Sequence, residues 1–291
     1  MQIVYHIGAN CTDEDFLLKS LLKNAEAFLA EGIIVPPPGN YRRLVRETIQ
    51  NLNGAPPAPD TRDILIDAIV EDTDARRLVM SHDAFICVPN RIFDEGRFYD
   101  LTDLKVGGLA SLFPENELEI YIGIRNPATF VPAVFAQSKY DNFVDFLQGT
   151  SLDRIRWSDV VQRIQAAAPN AKIGVWCNED TPMIWAQLIR EISGVEPTTR
   201  ISGGFDLLST IMSNEGMSRF LAYIKDHPPK TELQKRRIIA AFLDKFAMDD
   251  QVEEELDLPG WSATVVERLS ELYDEDVYQI SHMPGVTFFT P

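Results

Sequence analysis

Apolar and polar positions follow two different rhythms along this chain. Residues 2–7, QIVYHI, are apolar and β-rich, which predicts a buried first strand. From Asp13 onward Leu17, Leu18, Leu21, Leu22, Ala25, Phe28 and Leu29 fall at helical spacing, and Gly32 closes that helix. A short second strand in GIIV and a proline turn come next. Helices are predicted over YRRLVRETIQNL (41–52) and TRDILIDAIVED (61–72), with the loop NGAPPAPD between them. RRLVMSHDAF then returns as a strand whose tip lies near Ser81. LKVGGLASLFP predicts a short helix, and ELEIYIGIRNP is the most strand-like run, stopping at Asn126-Pro127. Helices from about Thr129, over NFVDFLQ and over WSDVVQRIQAAAP precede a strand in AKIGVWC. The helix PMIWAQLIREI follows, closed by Gly194.

Strands alternating with helices imply right-handed crossovers and a mainly parallel sheet. After about residue 200 strands nearly vanish, and the stretches 205–227, 231–250 and 262–280 are all helical in pattern. The tail GVTFFTP is one short strand or a surface segment. No internal repeat interrupts this order. The fold expected is one α/β domain over residues 1–291, a three-layer sandwich around a central, mainly parallel sheet. Residues 200–291 form a mostly helical part packed on it. The acidic runs DTDARR, DDQVEEELD and YDEDV read as solvated helix ends.

Charge narrows the function. Lys plus Arg number 27 against 44 Asp plus Glu, a formal net charge of −17. Such a field repels nucleic acid and anionic membranes, so no nucleic-acid role is expected. It also disfavours anionic cofactors unless a local basic site overrides it. Cys11, Cys87 and Cys177 are widely spaced and lack a C-x-x-C, which points to a reducing compartment. No run approaches the ~20 apolar residues of a membrane helix, and MQIVYHIGAN has no basic leader pattern. A soluble, cytoplasmic protein without membrane contact is expected. The histidines His6, His82, His227 and His282 are too scattered to argue a metal site.

Ligands of open parallel sheets bind beyond the carboxyl ends of the strands. The strand exits here read GANCTDED, SHD, RNP and CNED. Together these segments resemble the P-loop sulfotransferase superfamily, especially a bacterial branch opening with H-I-G-x-x-K-T-G-T/S-T. The opening HIGANCTDED matches at His6, Ile7, Gly8 and Thr12. LVMSHDAF is similar to the strand exit where the family writes S-S-E, and IYIGIRNPATFVPAVFAQSKY to its R-N/D-P segment. KIGVWCNEDTPMIWAQLIREISGV and ERLSELYDEDVYQI resemble the later strand and helices. The order of segments fits most of the chain.

The resemblance implies transfer of a sulfuryl group from 3′-phosphoadenosine-5′-phosphosulfate to a hydroxyl of a small-molecule or glycan acceptor. Gly8, Asn10, Cys11 and Thr12 then stand in the donor loop, with backbone N–H groups of Asn10 to Thr12 as the sulfate cradle. Arg125 matches the arginine that holds the 3′-phosphate. Asp83 falls where the family has its catalytic base, and His82 beside it is an alternative base. Trp185, Phe205 and Phe220 line the acceptor pocket or pack in the core.

The departures have a physical sign. Cys11 replaces the loop lysine and Asp13 the next glycine. Glu14 and Asp15 replace the Ser/Thr pair, and Ala133 stands where a phosphate-binding serine is expected. Carboxylates suit a helix N-terminus, where they cap N–H groups and complement the macrodipole. They also sit where a phosphosulfate needs room: two unit charges ~5 Å apart at an effective dielectric of ~20 repel by roughly 3 kcal/mol. Each candidate has an ordinary structural reading too. Arg125 pairs with a carboxylate, His82 and Asp83 form a hydrogen-bonded pair, and Cys11 is a small buried filler. Two functions follow: a sulfotransferase-like enzyme with a divergent donor loop, or a non-catalytic relative that keeps the fold and binds a partner or another ligand.

Overall fold

The structure, a computed structural model, describes residues 1–70, 75–248, 258 and 260–291. Its first strand, β1 (Gln2–His6), carries Ile3, Val4 and Tyr5 at 0% exposure, so both of its faces are covered. In chain order there follow α1 (Phe16–Leu22), α2 (Ala25–Ala30), β2 (Ile33–Ile34), α3 (Pro38–Leu52), α4 (Thr61–Ile69) and β3 (Arg77–Ser81). Next come β4 (Phe93–Asp94), β5 (Arg97–Phe98), α5 (Thr102–Ser111), β6 (Glu117–Ile124), α6 (Pro127–Gln137) and α7 (Phe143–Leu147). The chain continues with α8 (Trp157–Ala167), β7 (Lys172–Cys177), α9 (Thr181–Ser193), α10 (Leu208–Ile211) and α11 (Asn214–Asp226). It ends with α12 (Glu232–Phe246), α13 (Ala263–Ser281) and β8 (Val286–Phe289).

Six strands form one sheet in the order β2-β3-β1-β6-β7-β8, and every neighbouring pair is parallel. Successive side chains along a strand point to opposite faces. Ile3, Tyr5, Leu78, Met80, Ile120, Ile122, Ile173 and Val175 therefore pack on one side, against α3 to α6, α8 and α13. Val4, Val79, Tyr121 and Trp176 face the other side, under α1, α2 and α9. The result is the three-layer α/β sandwich expected. A separate apolar cluster of Leu208, Met212, Phe220 and Ile239 holds the helices of the C-terminal part together.

Two features fix the sheet and the helices packed on it. Arg77 of β3 reaches over β1 to Glu119 of β6, and both side chains are under one-tenth exposed. The carboxyl of Asp276 on α13 accepts from the backbone N–H groups of Trp157 and Ser158, capping α8 from a distant helix.

The elements differ from expectation in three places, and one of the two readings of the tail is found. The first helix is two, because Asn24 interrupts it: its amide donates to the carbonyls of Ser20 and Ser202 and its side-chain oxygen accepts from the Ser202 N–H. The β4–β5 hairpin was missed. It is too short to show alternation, and its turn residues Glu95 and Gly96 both have positive φ, 52° and 75°. The helical pattern over 205–227 breaks at Met212, which bridges antiparallel to Ala247 before Ser213 caps α11. The tail is a true strand, β8, pairing with β7. The helix predicted over 61–72 is seen to Ile69, and its last two positions, like the acidic run 249–257, lie outside the described residues. No described helix is long and apolar enough to cross a membrane.

Candidate functional site

Strand order places the site. β1 lies between β3 and β6, so the chain fills one side of β1 with β2 and β3 and then the other with β6, β7 and β8. A crevice at the carboxyl ends of the strands belongs at such a switch point. The 8–15 loop, Ser81 to Asp83, Arg125 and Glu179 all leave strands at this end. Parallel pairing runs on past β1: the Ala9 N–H donates to Gly123 and the Gly123 N–H to Gly8, at 2.8 and 2.7 Å. Gly8 has φ +107°, and a Cβ there would lie 2.8 Å from the Asp83 carbonyl oxygen. Only glycine lets the two strand exits approach this closely.

Beyond Gly8 the loop satisfies itself. The Asn10 N–H donates to the Tyr99 hydroxyl at 3.1 Å, that hydroxyl donates to Asn10 Oδ1 at 2.8 Å, and the Asn10 amide reaches the Cys87 carbonyl. The Thr12 hydroxyl donates to the Ala9 carbonyl at 2.6 Å. Cys11, Glu14 and Asp15 take left-handed backbone conformations, so α1 starts at Phe16 rather than at Asp13. Cys11 is 8% exposed, a small buried side chain. Burial also pushes the thiols of Cys87 and Cys177 up to about 12, which leaves both protonated and inert near neutrality.

The three acids part company. Asp13 Oδ2 accepts from the Leu17 N–H at 3.0 Å and its carbonyl from Phe16 at 2.7 Å, so this residue alone caps α1. Burial raises its carboxyl above the usual range, the charges of Asp83 and Asp15 add to that, and His6 and the Leu17 N–H oppose it. Glu14 is exposed. Asp15 does not cap the helix. Its carboxylate takes Nη1 of Arg42 at 3.0 Å and pairs with Nη2 as well. That hydrogen-bonded guanidinium holds Asp15 below the usual carboxylate range.

Arg125 turns toward its own scaffold, with Nη1 donating to the Cys11 carbonyl at 2.7 Å and Nε to the Thr129 hydroxyl at 3.0 Å. Asn126 caps α6 through its side chain, and its N–H donates to Glu179 Oε1 at 2.7 Å. The other oxygen of Glu179 accepts from the Tyr273 hydroxyl at 3.0 Å. His82 Nδ1 lies 3.3 Å from Asp83 Oδ1 without hydrogen-bond geometry, and its ring meets Phe85 edge-on. The adjacent strand tips are joined differently: His6 Nδ1 and the Ser81 hydroxyl are 2.8 Å apart, and His6 stacks on Trp176. His6 and Ser81 are each 1% exposed, so this pair fastens β1 to β3 and has no path to a substrate. Burial lowers the His6 imidazole, keeping it neutral.

The structure thus brings Gly8, Asn10, Cys11, Thr12, His82, Asp83 and Arg125 to one end of the sheet. What sequence reasoning missed are Arg42, Tyr99 and Tyr273, together with the part Glu179 of the strand exit CNED plays in closing the site. YRR at the start of a helix signals basic surface, but nothing in it pairs Arg42 with Asp15. Clefts of about 730, 500, 380 and 280 Å³ open elsewhere, and no residue of the 8–15 loop lines any of them. Trp185 and Phe220 are core side chains at 2% and 0% exposure, whereas Phe205 lines the 730 Å³ cleft beside Arg190 and Lys230. Among the described residues no three His, Cys, Asp or Glu side chains are arranged to hold a metal ion. No family model and no curated protein matches the chain.

Proposed function

We propose that this chain is a sulfotransferase-like scaffold that no longer performs the donor reaction and serves as a non-catalytic binding protein. One observation carries the reading: the carboxylates of Asp13 and Asp15 take up the helix N-terminus and the nearby cation that a phosphosulfate would need. Three further features support it. Cys11 supplies no positive charge at the lysine position, Arg125 is engaged with the Cys11 carbonyl and Thr129, and the Asn10 N–H is turned to Tyr99. The residues present do not fit 3′-phosphoadenosine-5′-phosphosulfate.

The enzyme reading keeps one favourable feature, the placement of His82 and Asp83 3.3 Å apart beside Gly8. In that reading one of them is the base and Arg125 binds the 3′-phosphate. Calorimetric titration with adenosine 3′,5′-bisphosphate separates the two. The proposal expects no binding that depends on Arg125. Binding that disappears in Arg125→Ala restores the enzyme reading.

A further inference from the structure

The sequence left one condition open: an anionic ligand is accepted only where a local basic site overrides the net charge of −17. Such a site exists, away from the strand exits. A cleft of about 500 Å³ opens between the β4–β5 hairpin, the 150–156 segment and α8. Arg97, Arg154, Arg156 and Arg163 line it, against the single carboxylate of Asp159. We propose that this cleft binds a phosphate monoester carried on a small polar body, of the size and character of a sugar phosphate.

Two observations point to an anion. Arg163 is held by backbone carbonyls, Phe98 and Tyr99 at 2.7 Å each and Asp159 at 3.2 Å, which aim the guanidinium without neutralising it. Among the described residues no carboxylate lies within ion-pair distance of Arg154, Arg156 or Arg163, and Arg97 reaches Asp100 and Asp103 only at 3.4 and 3.6 Å. Thr150, on the cleft wall, is 7% exposed, and its hydroxyl has no hydrogen-bond partner. That hydroxyl is enclosed in the wall and does not face the cleft, so the guanidiniums alone define the anion site.

The chemistry follows from the donors. Guanidiniums bind phosphate oxygens in fixed forks, and several together favour a doubly charged group over a carboxylate. Burial, and after it the positive charge of Arg97, lowers the pKa of Arg163, while the carboxylates of Asp103, Asp159 and Asp100 oppose that shift. A cleft of this volume holds more than an inorganic ion. Gln162, Asp159 and Gly96 complete the lining and offer hydrogen bonds to hydroxyl groups.

The test uses the full chain with ribose 5-phosphate as probe and ribose as the uncharged control, followed by calorimetry and thermal shift. Arg163 is left intact because it anchors the hairpin; the variants are Arg154→Gln with Arg156→Gln, and Thr150→Val, which keeps shape and removes the hydroxyl. Expected are binding of ribose 5-phosphate at millimolar or lower concentration, none of ribose, and a loss of about tenfold or more in the double variant. Thr150→Val, which removes an enclosed hydroxyl, is the control and is expected to leave binding unchanged. Absence of ribose 5-phosphate binding, or binding indifferent to the two arginine substitutions, overturns the proposal. The outcome is separable from the donor-loop reading, because Arg125→Ala leaves this cleft untouched.

Discussion

Arg42 closes its guanidinium on the carboxylate of Asp15 while donating through Nε and Nη2 to the carbonyl of Ser81, at 3.1 and 2.9 Å. One side chain on α3 thereby ties the first strand exit to the third. Tyr41 beside it holds Ser81 alone, donating to the Ser81 carbonyl and accepting from the Ser81 N–H.

Removing Arg42 leaves Asp15 unpaired but gives the Ser81 carbonyl only Tyr41. Arg42→Ala is expected to lower stability by about 1–3 kcal/mol in urea unfolding, chiefly through the hydrogen bonds to Ser81. Because Asp15 is held low in the folded state, its contribution is present above the ordinary carboxylate value and lost as pH falls through the folded one. The gap between wild type and Arg42→Ala should therefore narrow in acid. The half-open position of Asp15 keeps that part small.

Asp13 has the opposite sign. Its raised folded-state value means that ionisation disfavours the native state, so the stability tied to its protonated form is lost as pH rises from the unfolded toward the folded value. Asp13→Asn keeps an acceptor for the Leu17 N–H and removes the buried charge. It is expected to match or exceed wild type at neutral pH. Asp13→Ala loses the cap and is expected to cost about 0.5–2 kcal/mol. Unfolding curves at acidic and neutral pH check both, and an Asparagine variant weaker than Alanine contradicts the assignment.

The Arg77–Glu119 pair crosses β1 at the amino end of the strands. Burial raises the Glu119 carboxyl, but the hydrogen bond and charge of Arg77 outweigh it and hold it below its ordinary value. Glu119→Leu leaves a buried guanidinium alone and is expected to cost about 3–5 kcal/mol, whereas adding Arg77→Met should recover much of that. A double-mutant cycle in denaturant gives the coupling.

Much of this architecture was legible because the strands are fully buried and the helices carry one apolar face. Ile3, Val4 and Tyr5 announce a central strand, and Leu17, Leu18 and Leu21 a helix on it. Gly8 and Arg125 could be placed at the switch point from their position after strands. The closure itself was not legible: Asp15 with Arg42, Asn10 with Tyr99 and Glu179 with Tyr273 join segments 27 to 94 positions apart, and no local pattern records such pairs. The acids of the loop were expected to act together as caps. Left-handed backbone at Glu14 and Asp15 turned two of them away from the helix. The arginine cleft escaped notice because its residues come from two separate stretches of an acidic chain, the 97 hairpin and the 154–163 region.

The proposed loss of donor binding rests on the loop carboxylates, and restoring the loop tests it most directly. Cys11→Lys, Asp13→Gly and Asp15→Ser together supply the cation, free the helix N-terminus and release Arg42. Calorimetry with adenosine 3′,5′-bisphosphate, in an Arg154→Gln, Arg156→Gln background that silences the second cleft, is expected to show no heat for the native loop and measurable binding for the restored one. Binding by the native loop, abolished by Arg125→Ala, would contradict the account.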